Sequence, residues 1–233
     1  MSNVLTMTST TEITTINRST PTEFSPHSLR HSMSDTGYVT IAVLLSVVWV
    51  FGTVFNITAL YVFFSNKRLQ SPTNMFVIAL SLCDLCMSFI GTFMAMTSSW
   101  KKHWLYGHNG CVFEGFTVYF LGLTSVYLLT AISLDRYIVI ARPLIGHLIT
   151  HKMACVSIAL CWLGGFLWAA APLFGWNEFR LEGAGVSCSV VWESTNPTYT
   201  SYIFVIFTFC LVIPLALMVF SYYHVFMTIR LVT

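Results

Sequence analysis

Five runs of apolar residues, at about 38–64, 74–98, 111–140, 153–174 and 200–229, dominate this chain of 233 residues. A helix needs about 20 consecutive apolar residues to cross the hydrocarbon core of a bilayer, and each run is long enough. The linkers between them are short, with no internal repeat and no heptad pattern. These runs predict an all-α membrane protein whose backbone crosses the bilayer five times. Pro172 and Pro214 fall inside the fourth and fifth runs. Membrane helices tolerate proline where neighbours satisfy the freed carbonyl groups.

The charges agree with that reading. Charged residues make up only 9% of the chain against 56% hydrophobic, whereas a soluble domain carries about 25% charged residues. Of the nine acids, Glu12, Glu23 and Asp35 precede the first run or open it, and Glu178, Glu182 and Glu193 share one loop. Only Asp84, Glu114 and Asp135 remain for the spans. A net charge of +2 is too small to argue for nucleic acid as a partner.

Residues 1–37 are rich in Ser and Thr with few large apolar side chains, which predicts a disordered tail followed by a membrane domain over 38–233. No basic stretch leads into an apolar one at the start, so no cleaved signal is expected. With the tail outside, Lys67, Arg68, Arg136, Arg142, Lys152 and Arg230 face inward, against Lys101, Lys102 and Arg180 facing outward. An excess of basic residues marks the cytoplasmic side, so the N-terminus is expected to be extracellular and the protein a multi-pass membrane protein. Asn17-Arg18-Ser19 is then a usable glycosylation sequon. Cys111 and Cys188 stand at the edges of apolar segments on that oxidising side, whereas the other five cysteines lie inside apolar runs. They are the candidate disulfide pair.

Ionisable groups inside a membrane helix are costly and mark function by default. Glu114 and Asp135 open and close the third run. They are separated by roughly 31 Å at 1.5 Å per residue, about the thickness of the hydrocarbon core. One helix thus carries a carboxylate at one face and Asp135-Arg136-Tyr137 at the other, the layout of a device that senses on one side and reports on the other. Adjacent Asp135 and Arg136 are expected to pair and hold that end shut, with a snorkelling charge pair as the plainer alternative. Asn56 in the first run and Asp84 in the second each need a polar partner, expected to be one another through water. They serve either as a structural clamp or as an intramembrane switch.

Asn56, Asp84, Arg136, Trp162 and Pro214, one landmark per run, together with Tyr222, make the chain resemble the rhodopsin-like class of G-protein-coupled receptors. The resemblance covers 38–233 and implies a bundle of seven helices, of which the sixth and seventh are absent from these residues. It also implies that Cys111 and Cys188 are bonded, and that Asp135, Arg136 and Tyr137 couple to a heterotrimeric G protein. Val118 stands where receptors for amines carry an aspartate, which argues against that class. The phrases Gly110-Cys111-Val112-Phe113-Glu114-Gly115-Phe116, Pro172-Leu173-Phe174-Gly175-Trp176, Leu181-Glu182-Gly183 and Ser187-Cys188-Ser189 resemble opsins more specifically.

That likeness implies a light-sensing receptor, not an enzyme, with retinal as its cofactor in a pocket made by Val118, Tyr119, Gly122, Trp176, Phe179 and Ser187. Opsins hold retinal as a protonated Schiff base on a lysine of the seventh helix. A buried cation needs a buried anion, and Glu114 and Glu182 both match counterion positions, with Glu114 favoured because a helix fixes its geometry. The lysines here are Lys67, Lys101, Lys102 and Lys152, all in loops or at span ends, so no attachment lysine is expected among these residues. No metal-ligand set is expected. An opsin-like photoisomerase and a receptor for a diffusible ligand are the alternative readings.

Overall fold

The computed structural model describes residues 33–69, 71–146 and 149–232. Asn17 and most of the Ser/Thr-rich tail lie outside the described residues. Five helices are long and apolar enough to cross a membrane: span one (Asp35–Ser65), span two (Pro72–Lys101), span three (Gly107–Ala141), span four (His151–Phe174) and span five (Pro197–Leu231). A two-stranded antiparallel ribbon, β1 (Phe179–Leu181) and β2 (Cys188–Val190), lies in the loop between spans four and five. Its register sets Phe179 opposite Val190 and Leu181 opposite Cys188.

Local sequence explains where the helices begin. Ser34, Ser71, Thr150 and Asn196 each accept a backbone N–H of the first turn through their side chains. That satisfies donors the helix itself leaves unpaired. Pro72 and Pro197 follow two of these caps, at positions where a missing N–H costs nothing. Span four ends in a tight turn closed by Gly175 at φ 91°, a left-handed conformation suited to glycine.

Two spans carry an internal π turn, Ser88–Thr92 in span two and Thr208–Val212 in span five. The second precedes Pro214. Proline lacks an N–H and its ring clashes with the carbonyl four residues earlier, so the widened turn relieves the strain. The first holds Gly91, where a Cβ would collide with Cγ2 of Val118. Span two therefore approaches span three more closely there than any side chain permits.

Span three is the centre of the bundle and packs against spans two, four and five. The buried residues along the spans are mostly small or polar, including Ala42, Ala79, Cys83, Thr124, Ser133 and Ala154, while large side chains such as Leu44, Phe55, Leu160 and Phe204 are exposed. This inversion suits lipid, where apolar burial drives little and close packing of small residues holds helices together. One larger cluster gathers Phe179, Val190, Tyr202, Ile206 and Cys210 beneath the ribbon. A second gathers Phe76, Ala79, Leu128 and Ala154 toward the Asp135 end.

Candidate functional site

Cys111 and Cys188 are disulfide-bonded with their Cα atoms 5.4 Å apart, within the range a disulfide spans. The bond ties the first turns of span three to β2. It sets the Cys188 N–H over Glu114, whose Oε2 accepts it at 2.8 Å. Glu114 is only 3% exposed. One residue on, a Cβ at Gly115 would stand 2.6 Å from the Phe179 ring, so β1 rests on span three where a side chain is missing. Glu182 is placed differently: it is exposed, and its Oε2 accepts a hydrogen bond from the Ser187 hydroxyl at 2.7 Å. One glutamate is thus desolvated and backbone-bonded, the other solvated and loop-bound.

Below the ribbon, spans three and five enclose an open cavity of about 300 Å³, at the lower end of the range for small-molecule sites. Val118, Tyr119, Gly122, Leu123 and Val126 form one wall; Ile206, Phe207, Cys210 and Leu211 form the other, with Trp192 at the rim. Cys210 is also joined to span three, its sulfur 3.2 Å from the Tyr127 hydroxyl. Of the six residues expected around a chromophore, Val118, Tyr119 and Gly122 line this cavity, and Trp176, Phe179 and Ser187 are not among its lining. Trp176 packs on Trp168 and Tyr202 and donates to the Ser201 hydroxyl. Phe179 sits behind Tyr119, with ring centroids 5.9 Å apart. Ser187 is turned to Glu182. All three lie in the segment that connects spans four and five.

In mid-span, the Asn56 amide donates to the Gly52 carbonyl of its own helix at 2.8 Å, and Asp84 accepts from the Ser125 hydroxyl at 3.2 Å. Asn56 and Asp84 make no direct hydrogen bond among the described residues. Trp162 stands edge-on to Phe120 at 5.4 Å, Pro214 is fully buried, and Tyr222 is 53% exposed.

At the far end of span three, Asp135 is buried, and no Asp135–Arg136 ion pair is among those formed by the described residues. Successive residues on a helix point about 100° apart, so Asp135 and Arg136 start out toward different neighbours. Asp135 instead reaches span two, where the Thr73 hydroxyl donates to Oδ1 at 3.3 Å, while Oδ2 is buried without a partner among the described residues. The Arg142 side chain donates to the Tyr137 hydroxyl at 3.4 Å, and the Tyr137 ring packs against Phe220 and His224 of span five.

Sequence reasoning missed three residues. Thr73 follows a visible Ser-Pro helix start but carries no sign of its partner. His224 is unremarkable in an apolar run. Asn177 is a lone loop residue, yet it is fully buried with φ 87°. Its side-chain carbonyl accepts the N–H groups of Glu178 (2.7 Å) and Val191 (2.9 Å), and its amide donates to the carbonyls of Val191 (3.1 Å) and Tyr199 (3.4 Å). It binds the segments flanking the ribbon to the start of span five.

Residues 55–232 match the family model described as 7 transmembrane receptor (rhodopsin family). Among curated relatives, the chain is 34% identical over 200 residues to parapinopsin of Ictalurus punctatus, covering 85% of this chain and 58% of parapinopsin. It is 32% identical over 212 residues to pinopsin of Columba livia, covering 91% and 61%. Human melanopsin is 35% identical over 197 residues, covering 84% and 41%. The chain therefore spans less than two thirds of the length of these relatives. Among solved structures, squid rhodopsin superimposes with a TM-score of 0.80 at 30% identity, covering 85% of this chain and 57% of that one.

Proposed function

Since the chain is an opsin-type member of the rhodopsin family of seven-transmembrane receptors, we propose that it forms the chromophore-binding and coupling core of a light sensor, its N-terminus extracellular and its Asp135 end cytoplasmic. The single observation that carries this reading is the buried carboxylate of Glu114, four residues along span three from Val118 in the wall of an apolar cavity between spans three and five.

The residues present fit retinal. An apolar wall of Val118, Gly122, Ile206 and Leu211 suits a polyene, which offers nothing to hydrogen-bond along its length. Glu114 suits a cationic end group, because a desolvated carboxylate is stabilised by a nearby positive charge. The Cys188 N–H holds one of its oxygens in place, and the Cys111–Cys188 bond holds that N–H. Retinal, when bound, supplies the absorption of visible light and a change of shape. Glu182 serves as an alternative anion if the ribbon folds inward.

At the cytoplasmic end, Arg136 presents a cation to a heterotrimeric G protein. Thr73 orients Asp135, and Tyr137 links spans three and five through Phe220 and His224. The lipid bilayer is the solvent for the exposed apolar faces; nucleic acid has no place in this reading.

None of the four lysines lines the cavity, so these 233 residues hold retinal by noncovalent contact alone. The purified chain in lipid nanodiscs is expected to bind 11-cis-retinal saturably, read by tryptophan quenching, and borohydride is expected to trap no adduct. Non-saturable quenching overturns the pocket assignment. A trapped adduct overturns the noncovalent mode.

A charge test separates the two glutamates. Glu114→Gln keeps an acceptor for the Cys188 N–H but removes the negative charge. It is expected to lower affinity for retinylamine, a cationic analogue, about tenfold relative to retinal, whereas Glu182→Gln changes that ratio little. The reverse ranking assigns the counterion to Glu182.

A further inference from the structure

We propose that Met75, His151 and Cys155 form a binding site for a soft monovalent metal ion, Cu(I), that joins span two to span four at the Asp135 end of the bundle. The first observation is a contact between the two helices. Nδ1 of His151 stands 3.3 Å from Sδ of Met75, although 76 residues separate them in sequence. Metal bonds of about 2.0 Å to an imidazole nitrogen and about 2.3 Å to a sulfur put the two donors roughly 3.3–3.7 Å apart at angles of about 100–120°. The pair already stands at the short end of that range. Met75 also has a fixed backing, since it packs against the cluster of Phe76, Ala79, Leu128 and Ala154.

The second observation is a spacing. Cys155 follows His151 by four residues in the first turns of span four. Residues four apart share one helix face, with Cβ atoms about 5–6 Å apart, so the two can chelate one ion. The Cys155 thiol is free and exposed, and His151 is exposed as well. Met75 then supplies a third donor from the neighbouring helix.

The donor set chooses the ion. Thiolate and thioether are soft ligands that select Cu(I) over hard cations, and imidazole suits copper too. On binding, the Cys155 thiol gives up its proton to solvent, and the thiolate cancels the charge of the ion. The neutral complex suits the edge of a bilayer. Zn(II) would leave a positive charge there, next to Lys152. In the proposed orientation this end is cytoplasmic, where thiols stay reduced.

The purified chain in lipid nanodiscs, kept anaerobic and reduced, is titrated with Cu(I) in competition with bathocuproine disulfonate. His151→Ala, Cys155→Ser and Met75→Leu are each expected to weaken binding about tenfold or more, since loss of even an outer-shell partner costs a metal site that much. Excess Zn(II) is expected not to displace the ion. Cu(I) is expected to protect Cys155 of the unsubstituted chain from N-ethylmaleimide, read by peptide mass spectrometry. Alkylation of Cys155 undiminished by Cu(I) overturns the site without any variant. Binding that survives all three substitutions also overturns it, since another thiol then holds the ion. Full affinity in Met75→Leu overturns the bridge between the spans, and displacement by Zn(II) overturns the assignment of a monovalent ion.

Discussion

Gly165→Ala is expected to force spans three and four apart and to lower stability by about 3 kcal/mol, the upper part of the range for overpacking a close contact. A Cβ at Gly165 would lie 2.9 Å from both the Phe120 carbonyl oxygen and the Thr124 nitrogen, and would overlap the Thr124 hydroxyl. Two of those atoms are backbone inside a helix and cannot turn aside. The third is locked, because the Thr124 hydroxyl donates to the Phe120 carbonyl at 2.7 Å. In lipid, helix association depends on this kind of close approach, so separating the helices has little hydrophobic compensation.

The neighbouring glycine is the control. A Cβ at Gly164 would meet the Tyr127 ring at 3.2 Å, and a ring can shift by the few tenths of an ångström required. Gly164→Ala is expected to cost less than about 1 kcal/mol. Thermal unfolding of the two variants in the same detergent decides the matter: equal losses would show that the packing of spans three and four is not set by the Gly165 contact. Adding Thr124→Ala to Gly165→Ala is expected to recover only part of the loss, since the backbone contacts remain.

The contrast between these two glycines shows where the sequence stops speaking. The five spans are legible because hydrocarbon disfavours charge, and nine acids and eleven bases leave long runs with few or no charges that a helix can carry through a bilayer. Cys111 and Cys188 are legible because the remaining cysteines are locked in those runs. Side-chain direction is far less legible. A membrane helix is apolar on nearly every face, so the periodic stripe that orients a soluble helix is missing. Gly164 and Gly165 look alike in sequence, yet one meets a ring and the other a backbone.

For the same reason the reach of Asp135 to Thr73 across the bundle is not legible along the chain. Val118, Tyr119 and Gly122 share one helix, and their cavity follows from its geometry. Trp176, Phe179 and Ser187 sit in a loop, where no period places a side chain. The π turns at Ser88–Thr92 and Thr208–Val212 have no sequence period either, although Pro214 marks the second in hindsight.

Asn177→Ala is expected to loosen the ribbon over the cavity and lower stability by about 2–4 kcal/mol. Two effects combine. The substitution removes the side-chain partner of the half-buried Glu178 N–H and of the Val191 carbonyl, and a second bond to the Tyr199 carbonyl inside its helix; the Val191 N–H retains a bond to the Glu178 carbonyl. It also places a Cβ without a compensating polar side chain at φ 87°, a region asparagine tolerates better than alanine. Two further variants separate these causes. Asn177→Gly removes the hydrogen bonds but relaxes the backbone, so it is expected to be milder than alanine by about 1 kcal/mol. Asn177→Asp keeps the acceptor for Glu178 and Val191, tolerates the left-handed backbone, and loses the two donated bonds. Because Glu114 takes its N–H from Cys188 in this ribbon, loosening at Asn177 is expected to weaken retinylamine binding as well, through a group that never touches the ligand. Melting curves rank the stabilities, and hydrogen exchange at the Cys188 amide reads the ribbon. If alanine, glycine and aspartate variants melt alike and that amide stays protected, Asn177 is a passive loop residue and the ribbon is held by the Cys111–Cys188 bond alone.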